Sequence, residues 1–207
     1  RSAWSPEHEP VAVDLAVGLR RARAAALLTM ALPGGVYVYQ GDELGLWEVQ
    51  DIPAEHMEDP TFANTGRTRD GARVPLPWSG DGPPYGFSPP AARAEPWLPQ
   101  PAAWGAVSVA RQERDPGSML ELYRAALRIR GSHPALGDGA LAWDEDARDG
   151  VLSFAREPAF RCVVNLSADA LVLAPGAEVL VASAPLAGLV LEPDTAVWLA
   201  TVGPALA

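Results

Sequence analysis

The stretch "ALPGGVYVYQGDELGL", residues 31–46, contains a helix end, a candidate strand and a polar turn in that order. Its proline-glycine pair ends a helix, because proline cannot continue one and glycine is common just after one. The β-branched and aromatic run "VYVYQ", residues 36–40, is closed by Gly41 and predicts a buried strand. Helix, tight turn and strand together predict an α/β unit that ends in two adjacent acids, Asp42 and Glu43.

Residues 12–31, just upstream, have the periodicity of a helix. Apolar side chains fall on one stripe and three arginines on the opposite arc, which predicts an amphipathic helix with a solvated basic face. The stripe consists of Leu15, Leu19, Ala22, Ala26 and Met30, and the arc of Arg20, Arg21 and Arg23.

Residues 47–104 show no periodicity and contain 11 of the chain's 21 prolines. A segment of this length without regular structure is usually either functional or disordered. Five of the seven tryptophans lie outside the regular elements, which disfavours disorder because disordered segments are poor in aromatic residues. We therefore predict an ordered, proline-stiffened excursion.

Regular structure returns with "DPGSMLELYRAALRIRGSHP", which predicts an amphipathic helix over residues 116–131 with Asp115 as its N-cap. Beyond Gly137, six short apolar runs separated by turn residues predict strands. The runs are "ALAWD", "VLSFA", "FRCVVNL", "ALVL", "EVLVA" and "AVWLA". Strands with tight turns and no helix between them predict a small antiparallel β-domain, a sandwich.

The composition excludes several classes of partner and site. With a net charge of -10 the chain lacks the clustered Lys and Arg that nucleic acid or an anionic membrane would need, and its apolar runs are too short to span a bilayer. Cys162 is the only cysteine, so we expect a buried small hydrophobe and a reducing, cytoplasmic compartment. His8, His56 and His133 lack metal-ligand spacing, and we expect neither a metal nor a cofactor.

The order of these segments, with "QGDELG" and the later "RDGARVPLPW", resembles the C-terminal portion of α-glucosidases of glycoside hydrolase family 13, the α-amylase superfamily. The resemblance covers nearly the whole chain and implies a mixed fold, α/β plus all-β. Residues 1–136 would be the C-terminal fragment of a (β/α)8 TIM barrel, with residues 47–104 as a long active-site loop. Residues 137–207 would form a small antiparallel β-sandwich. On this mapping residues 35–40 are the eighth barrel strand and residues 116–131 belong to the eighth helical layer.

The resemblance also implies an activity. Related enzymes hydrolyse terminal α-linked glucose from short maltose-type oligosaccharides with retention, through a nucleophilic Asp, an acid/base Glu and an Asp in an Asn-His-Asp motif. None of these motifs occurs in this sequence, so we expect no catalytic residue here and an N-terminal barrel portion that activity requires. Two alternatives stay open: a glucosyl-transferring or isomerising parent enzyme, and a non-catalytic carbohydrate-binding or scaffold module.

The candidate substrate-binding residues are Arg69, Arg73 and Glu43. In similar α-glucosidases the arginine of the Arg-Asp-Gly segment reaches the terminal glucose, and this position maps to Arg69. A guanidinium fork can bind vicinal hydroxyls or orient a carboxylate that does so. The alternative for Arg69 is a surface ion pair with Asp70 or another loop acid, which would contribute little. Arg73 is expected to brace the loop, and Ala72 replaces a larger or sulfur-containing residue of many relatives.

Asp42 and Glu43 do not fit the role of paired catalytic carboxyls. A retaining glycosidase needs two carboxyl groups about 5–5.5 Å apart, whereas neighbours in an extended chain point to opposite sides. We expect these acids to accept backbone N–H bonds at the rim of the site, with direct ligand contact as the alternative. Trp78 and Trp97 are expected to form the excursion's own small core rather than platforms for sugar rings.

Overall fold

The computed structural model describes residues 13–200, so His8 and the outer ends of both predicted domains lie outside the described residues. The helices are α1 (Leu15–Ala31), α2 (Pro60–Thr65), α3 (Val109–Gln112) and α4 (Met119–Ser132). The strands are β1 (Leu141–Trp143), β2 (Val151–Arg156), β3 (Phe160–Asn165), β4 (Leu171–Val172), β5 (Glu178–Ala182), β6 (Val190–Leu191) and β7 (Thr195–Ala200). Short 3-10 helices lie at Asp42–Leu44, Ala54–His56, Asp70–Ala72, Ala102–Val107 and Pro134–Leu136.

The strands form two antiparallel sheets. One has five strands in the order β1-β2-β3-β7-β5, and the other pairs β4 with β6. In the larger sheet Cys162 lies opposite Phe154 on one side and Trp198 on the other. All six predicted strands are present, whereas β6 was not predicted because two residues are too few to show a period.

The five-stranded sheet is covered on both faces. On one face Cys162 and Trp198 belong to a cluster that includes Leu27 of α1 and Ala126 of α4. On the other face Val163 packs with residues of β4 and β6. A strand that is buried on both faces is apolar at nearly every position. Such a run does not reveal what covers each face, so the sequence did not predict that the helices would cover this sheet. The prediction that Cys162 is a buried hydrophobe is confirmed, and burial raises the pKa of its thiol.

Helix α1 begins with an Asp14 cap, whose Oδ1 accepts hydrogen bonds from two backbone amides of the first turn at 3.0 Å. The second half of the helix carries the buried face, and the Trp198 indole donates to the Leu27 carbonyl oxygen at 3.0 Å. Three residues of the predicted stripe, Leu15, Leu19 and Ala22, are instead exposed. The stripe is therefore wrong at its N-terminal end, because the sheet contacts the later turns of the helix.

The predicted solvated face of α1 is also wrong in part. Arg23 Nε donates to the Ser183 carbonyl oxygen at 2.6 Å, and Arg21 Nε lies 2.9 Å from Asp194 Oδ1. Burial lowers the pKa of Arg23, an effect that the charge of Asp115 opposes. These arginines connect the helix to the loops of the sheet, a contact that helical periodicity alone does not reveal.

Helix α4 has the predicted buried stripe but starts later than expected. Ser118 is the N-cap, and its Oγ accepts from Glu121 N at 3.1 Å. The predicted cap, Asp115, accepts from Gly117 N at 2.9 Å and so forms a turn before the helix. At the other end His133 is the C-cap.

The predicted strand at residues 36–40 is not formed. Residues 35–39 belong to neither sheet, and Tyr37 is 97% exposed. A strand is stabilised by hydrogen bonds to its neighbours, and every strand in residues 13–200 lies beyond residue 140 in one of the two sheets, neither of which includes this segment.

Two arginines hold the C-terminal end of α1, where the chain leaves for this segment. Arg156 is 1% exposed and donates to the carbonyl oxygens of Ala31 at 3.2 Å and Gly137 at 2.8 Å. Arg130 donates to the carbonyl oxygen of Gly34 at 2.6 Å. Positive charge at a helix C-terminus is favourable, so these side chains both satisfy the helix end and fix the path that follows it.

Candidate functional site

The excursion has a small apolar core of its own. Tyr85 and Trp104 are almost fully buried in it, and Trp47 meets Trp104 edge-on with ring centroids 6.1 Å apart. Trp78 and Trp97, which were predicted to fill this core, are 49% and 79% exposed. That prediction is wrong because Tyr85, Trp47 and Trp104 occupy the core instead. Which aromatic side chains are buried depends on how the loop folds back.

The polar turn at residues 41–45 is held by its own acids. Asp42 Oδ2 accepts from Tyr39 N at 3.2 Å, and Glu43 Oε2 accepts from Gly41 N at 2.9 Å. The prediction that both acids accept backbone N–H bonds is therefore confirmed. Their negative charges also act on Tyr123 of α4, whose pKa is raised to about 12 by burial and then by Asp42 and Glu43.

The "RDG" segment uses its Asp and Gly to fix its own position. Asp70 is 1% exposed, and its Oδ2 accepts from Glu58 N at 2.8 Å and Asp59 N at 2.9 Å. Gly71 O accepts from Val49 N at 3.1 Å, and a Cβ at Gly71 would overlap the Val49 carbonyl oxygen. The acid and the glycine therefore join this turn to two other parts of the excursion.

A second buried acid, Asp59, completes the joint. Its Oδ1 caps α2 by accepting from Thr61 N at 2.9 Å, and its Oδ2 accepts from Arg69 N at 3.2 Å. Arg73 Nη1 lies 3.4 Å from Asp59 Oδ2 and 3.6 Å from Asp70 Oδ1, so one guanidinium pairs with two carboxylates. The sequence analysis missed Asp59, although an acid followed by proline is a recognisable helix start.

Hydrogen bonds keep both carboxylates ionised. Those from Thr61, followed by the Arg69 N–H, lower the pKa of Asp59 to about 2. Burial raises the pKa of Asp70, but the hydrogen bonds from Asp59, Thr68 and Glu58 together outweigh it and hold that pKa below its ordinary value. The joint is therefore charged at neutral pH and is balanced in part by Arg73.

Arg69 extends from this joint with an exposed side chain. Within residues 13–200 its guanidinium has no hydrogen bond or ion pair, since the Asp70 carboxylate is occupied by backbone amides and Arg73. The ion pair with Asp70, which was the alternative role for Arg69, is not formed. The backbone of Arg69 is fixed while its charged fork stays available.

A pocket of about 200 Å³ lies between the polar turn and the "RDG" turn. Its walls come from the segments 39–42, 46–48 and 71–72 and from Val74, Leu76 and Trp104. They carry carboxylates and aromatic rings but no arginine or lysine. None of the three predicted binding residues lines this pocket, although Asp42 beside Glu43 and Ala72 and Val74 beside Arg73 do.

The described part of the chain offers no group of three or more His, Cys, Asp or Glu side chains that could hold a metal ion. His56 ends a 3-10 helix, and His133 Nδ1 accepts from Ala135 N at 3.2 Å. None of the helices described is long and apolar enough to cross a membrane.

Comparison with known proteins places this geometry in a family. The family described as "Alpha amylase, catalytic domain" matches residues 11–139. A probable alpha-glucosidase of Rhizobium meliloti is 38% identical over 156 residues, which is 72% of this chain and 27% of that protein. An oligo-1,6-glucosidase of Saccharomyces cerevisiae is 31% identical over 132 residues, 52% of this chain and 22% of that protein.

Among solved structures, the alpha-glucosyl transfer enzyme XgtA superposes with a TM-score of 0.69 at 35% identity, covering 87% of this chain and 35% of that one. The chain spans about a quarter of the length of the Rhizobium meliloti and Saccharomyces cerevisiae relatives. Since the catalytic-domain match covers more than half of its residues, the chain belongs to the α-amylase family, whose relatives here include glycoside hydrolases named as alpha-glucosidases.

Proposed function

We propose that this chain is the C-terminal part of a retaining α-glucosidase that releases terminal glucose from short maltose-type α-glucosides. The observation that carries the proposal is Arg69: an exposed guanidinium on a turn that two buried carboxylates fix, in a chain whose relatives are named as glucosidases. A fork with a fixed backbone and free N–H groups suits vicinal hydroxyls of an uncharged sugar. The net charge of -10 also favours neutral ligands over nucleic acid.

The proposal includes an architecture for the whole protein. Residues up to 136 would complete a (β/α)8 barrel, with residues 35–40 as its eighth strand, and residues 137–207 would form the C-terminal β-sandwich. Residues 35–39 pair with no described strand, and all of them except the half-buried Val36 are exposed, which supports this because such a run has hydrogen-bonding edges on both sides. The catalytic Asp, Glu and Asp would then come from the N-terminal barrel portion. The buried, unpaired Cys162 is in keeping with the cytoplasm.

In this arrangement Arg73 and Glu43 contribute to binding indirectly, by holding the segments that face the ligand. Arg73 offsets the charge of Asp59 and Asp70, which keeps the turn closed and Arg69 in place. Glu43 holds the polar turn at the rim of the pocket by accepting from Gly41 N. Groups fixed in advance of binding lose less conformational entropy when the substrate arrives.

The test is Arg69→Lys in the whole protein, assayed with maltose and an aryl α-glucoside. Lysine keeps the charge but loses the two-pronged geometry, at a cost of about 1.5–3 kcal/mol for charge-assisted hydrogen bonds. Since each ~1.4 kcal/mol changes a rate tenfold, kcat/KM should fall by roughly one to two powers of ten.

Arg73→Lys is the matched control, because it lies in the same turn and should lower Tm more than turnover. A kcat/KM for Arg69→Lys within about twofold of wild type would show that Arg69 does not bind the sugar. The isolated chain of residues 1–207 should release no glucose from either substrate.

A glucosyl-transferring or isomerising enzyme is the second candidate, and the similarity to XgtA favours it. The fixed Arg69 would bind the donor glucose in either reaction. Product analysis separates the two, because a hydrolase releases free glucose in proportion to substrate consumed, whereas the alternatives yield new disaccharides or longer products.

A further inference from the structure

Gln112, the last residue of α3, has a buried side-chain amide that bonds to three separate segments. Its Nε2 donates to the carbonyl oxygens of Leu44 and Val107, each at 2.8 Å. Its Oε1 accepts from Leu120 N at 3.1 Å. Leu44 belongs to the polar turn, Val107 ends the 3-10 helix Ala102–Val107 at the end of the excursion, and Leu120 lies in the first turn of α4. One side chain therefore joins the turn, the excursion and the helix.

The bond to Leu44 is the link that orients the turn. In residues 13–200, the other hydrogen bonds of the turn run within residues 39–46, including those that the carboxylates of Asp42 and Glu43 accept. The side chains of α1 and α4 nearest to Gly45 are the apolar Leu19 and Met119, and apolar packing fixes a distance rather than a direction. A hydrogen bond is directional, so the Gln112 amide determines how the turn faces the pocket.

A second observation is that the amide is fully satisfied while being only 7% exposed. Both of its N–H groups and its oxygen have partners, and its own backbone carbonyl oxygen accepts from Ser118 Oγ at 3.0 Å. A buried polar side chain with every bond made favours one arrangement of its neighbours, because any shift leaves a group unpaired.

We propose that Gln112 is a positioning residue for the glucosidase reaction: it holds the turn at residues 41–45, and with it Asp42 and Glu43, in the orientation that completes the sugar pocket. The inference rests on the proposed function for its effect on turnover. The orientation of the turn itself can be measured independently of activity.

The experiment compares Gln112→Leu, Gln112→Glu and Ser118→Ala in the whole protein, well below the Tm of each variant. Gln112→Leu removes the bond to Leu44, so kcat/KM should fall about tenfold and amide exchange in residues 39–49 should become faster. Ser118→Ala removes the α4 cap at the same junction but leaves the Leu44 bond in place. It should keep kcat/KM within about twofold of wild type even though its Tm falls.

Gln112→Glu adds a second measurement, the pH dependence of kcat/KM, which would not change if Gln112 only stabilised the fold. The new carboxyl faces two carbonyl oxygens, and only its protonated form can donate a hydrogen bond to one of them. Relative to wild type, kcat/KM of Gln112→Glu should therefore fall further as pH rises, whereas the ratio for Gln112→Leu should not depend on pH.

The outcomes separate the two proposals. Wild-type protein without activity on any α-glucoside would overturn the proposed function, while the exchange measurement would still test the role of Gln112. If Gln112→Leu shows the same kcat/KM and the same exchange in residues 39–49 as Ser118→Ala, the positioning role is wrong. If Gln112→Leu does not fold, the pH dependence of Gln112→Glu decides, and a flat profile overturns the inference.

Discussion

Replacing Gly71 with alanine should open the joint that fixes Arg69. The added Cβ would overlap the Val49 carbonyl oxygen and lie 3.0 Å from Glu48 Cγ and 3.1 Å from the Val49 carbonyl carbon. Two of these three atoms are backbone, so the clash cannot be relieved by a side-chain rotation. Gly71 is not among the positive-φ glycines, and the effect is therefore steric rather than conformational.

The magnitude follows from two contributions. Overpacking costs about 1–3 kcal/mol, and the strained hydrogen bond from Val49 N to Gly71 O, 3.1 Å long in the native turn, adds about 0.5–1.5 kcal/mol. If the turn opens locally rather than the whole protein unfolding, amide exchange around Val49 should accelerate by roughly one to three powers of ten. In the whole protein kcat/KM should fall as well, since Arg69 loses its fixed backbone.

Gly131→Ala is the control. Gly131 lies inside α4, and a Cβ there would meet nothing within 4 Å. Alanine at this helix-interior position should raise stability by about 0.5–1 kcal/mol and leave exchange in residues 46–50 unchanged. The reasoning is refuted if Gly71→Ala matches wild type in both exchange and kcat/KM, because the close approach of Gly71 to Val49 would then not constrain the turn.

Acid should loosen the same joint, because the pKa of Asp59 is depressed from its usual 3.8 to about 2. The stabilisation that the ionised Asp59 provides is therefore present above pH 4 and lost as pH falls towards 2. Tryptophan fluorescence of the excursion should report this loss. Alkali should destabilise the packing of α4, because the pKa of Tyr123 is raised from an ordinary 10 to about 12. Stability should be unchanged below pH 10 and should fall between pH 10 and 12, which Tm measurements would follow. Arg156→Met should leave the carbonyl oxygens of Ala31 and Gly137 without this donor and destabilise the chain by about 1.5–3 kcal/mol in denaturant titration. Arg148→Met, at an exposed surface ion pair with Asp169, should change stability by less than about 1 kcal/mol.

Local patterns in the sequence predicted most elements whose cause is local. The stripe of α4, the short apolar strands and the N–H bonds accepted by Asp42 and Glu43 depend on residues a few positions apart. Helix ends were less accurate: Ser118 rather than Asp115 caps α4, because both residues have suitable side chains and the tertiary contact of Ser118 with Gln112 decides between them.

Features that depend on distant residues were not predictable. The joint of Asp59 with Asp70 and Arg73 requires the excursion to fold back on itself, and no periodic pattern encodes that path. The same holds for Trp104, which is buried where Trp97 is exposed although both lie in proline-rich sequence. The strand predicted at residues 36–40 shows a further limit, because propensity describes a residue's preference and cannot supply a neighbouring strand.

The apolar cluster shared by α1, α4 and the five-stranded sheet restricts how such proteins can recombine. Leu27 and Trp198 are joined by a hydrogen bond and lie on opposite sides of residue 137, so a crossover at that boundary would separate partners that have to match in shape. A chimera that takes its helices from one relative and its sheet from another would inherit two mismatched halves of one interior. We expect exchangeable units in this lineage to be cut elsewhere, in the surface segments of the excursion, where a replacement would leave that interior undisturbed.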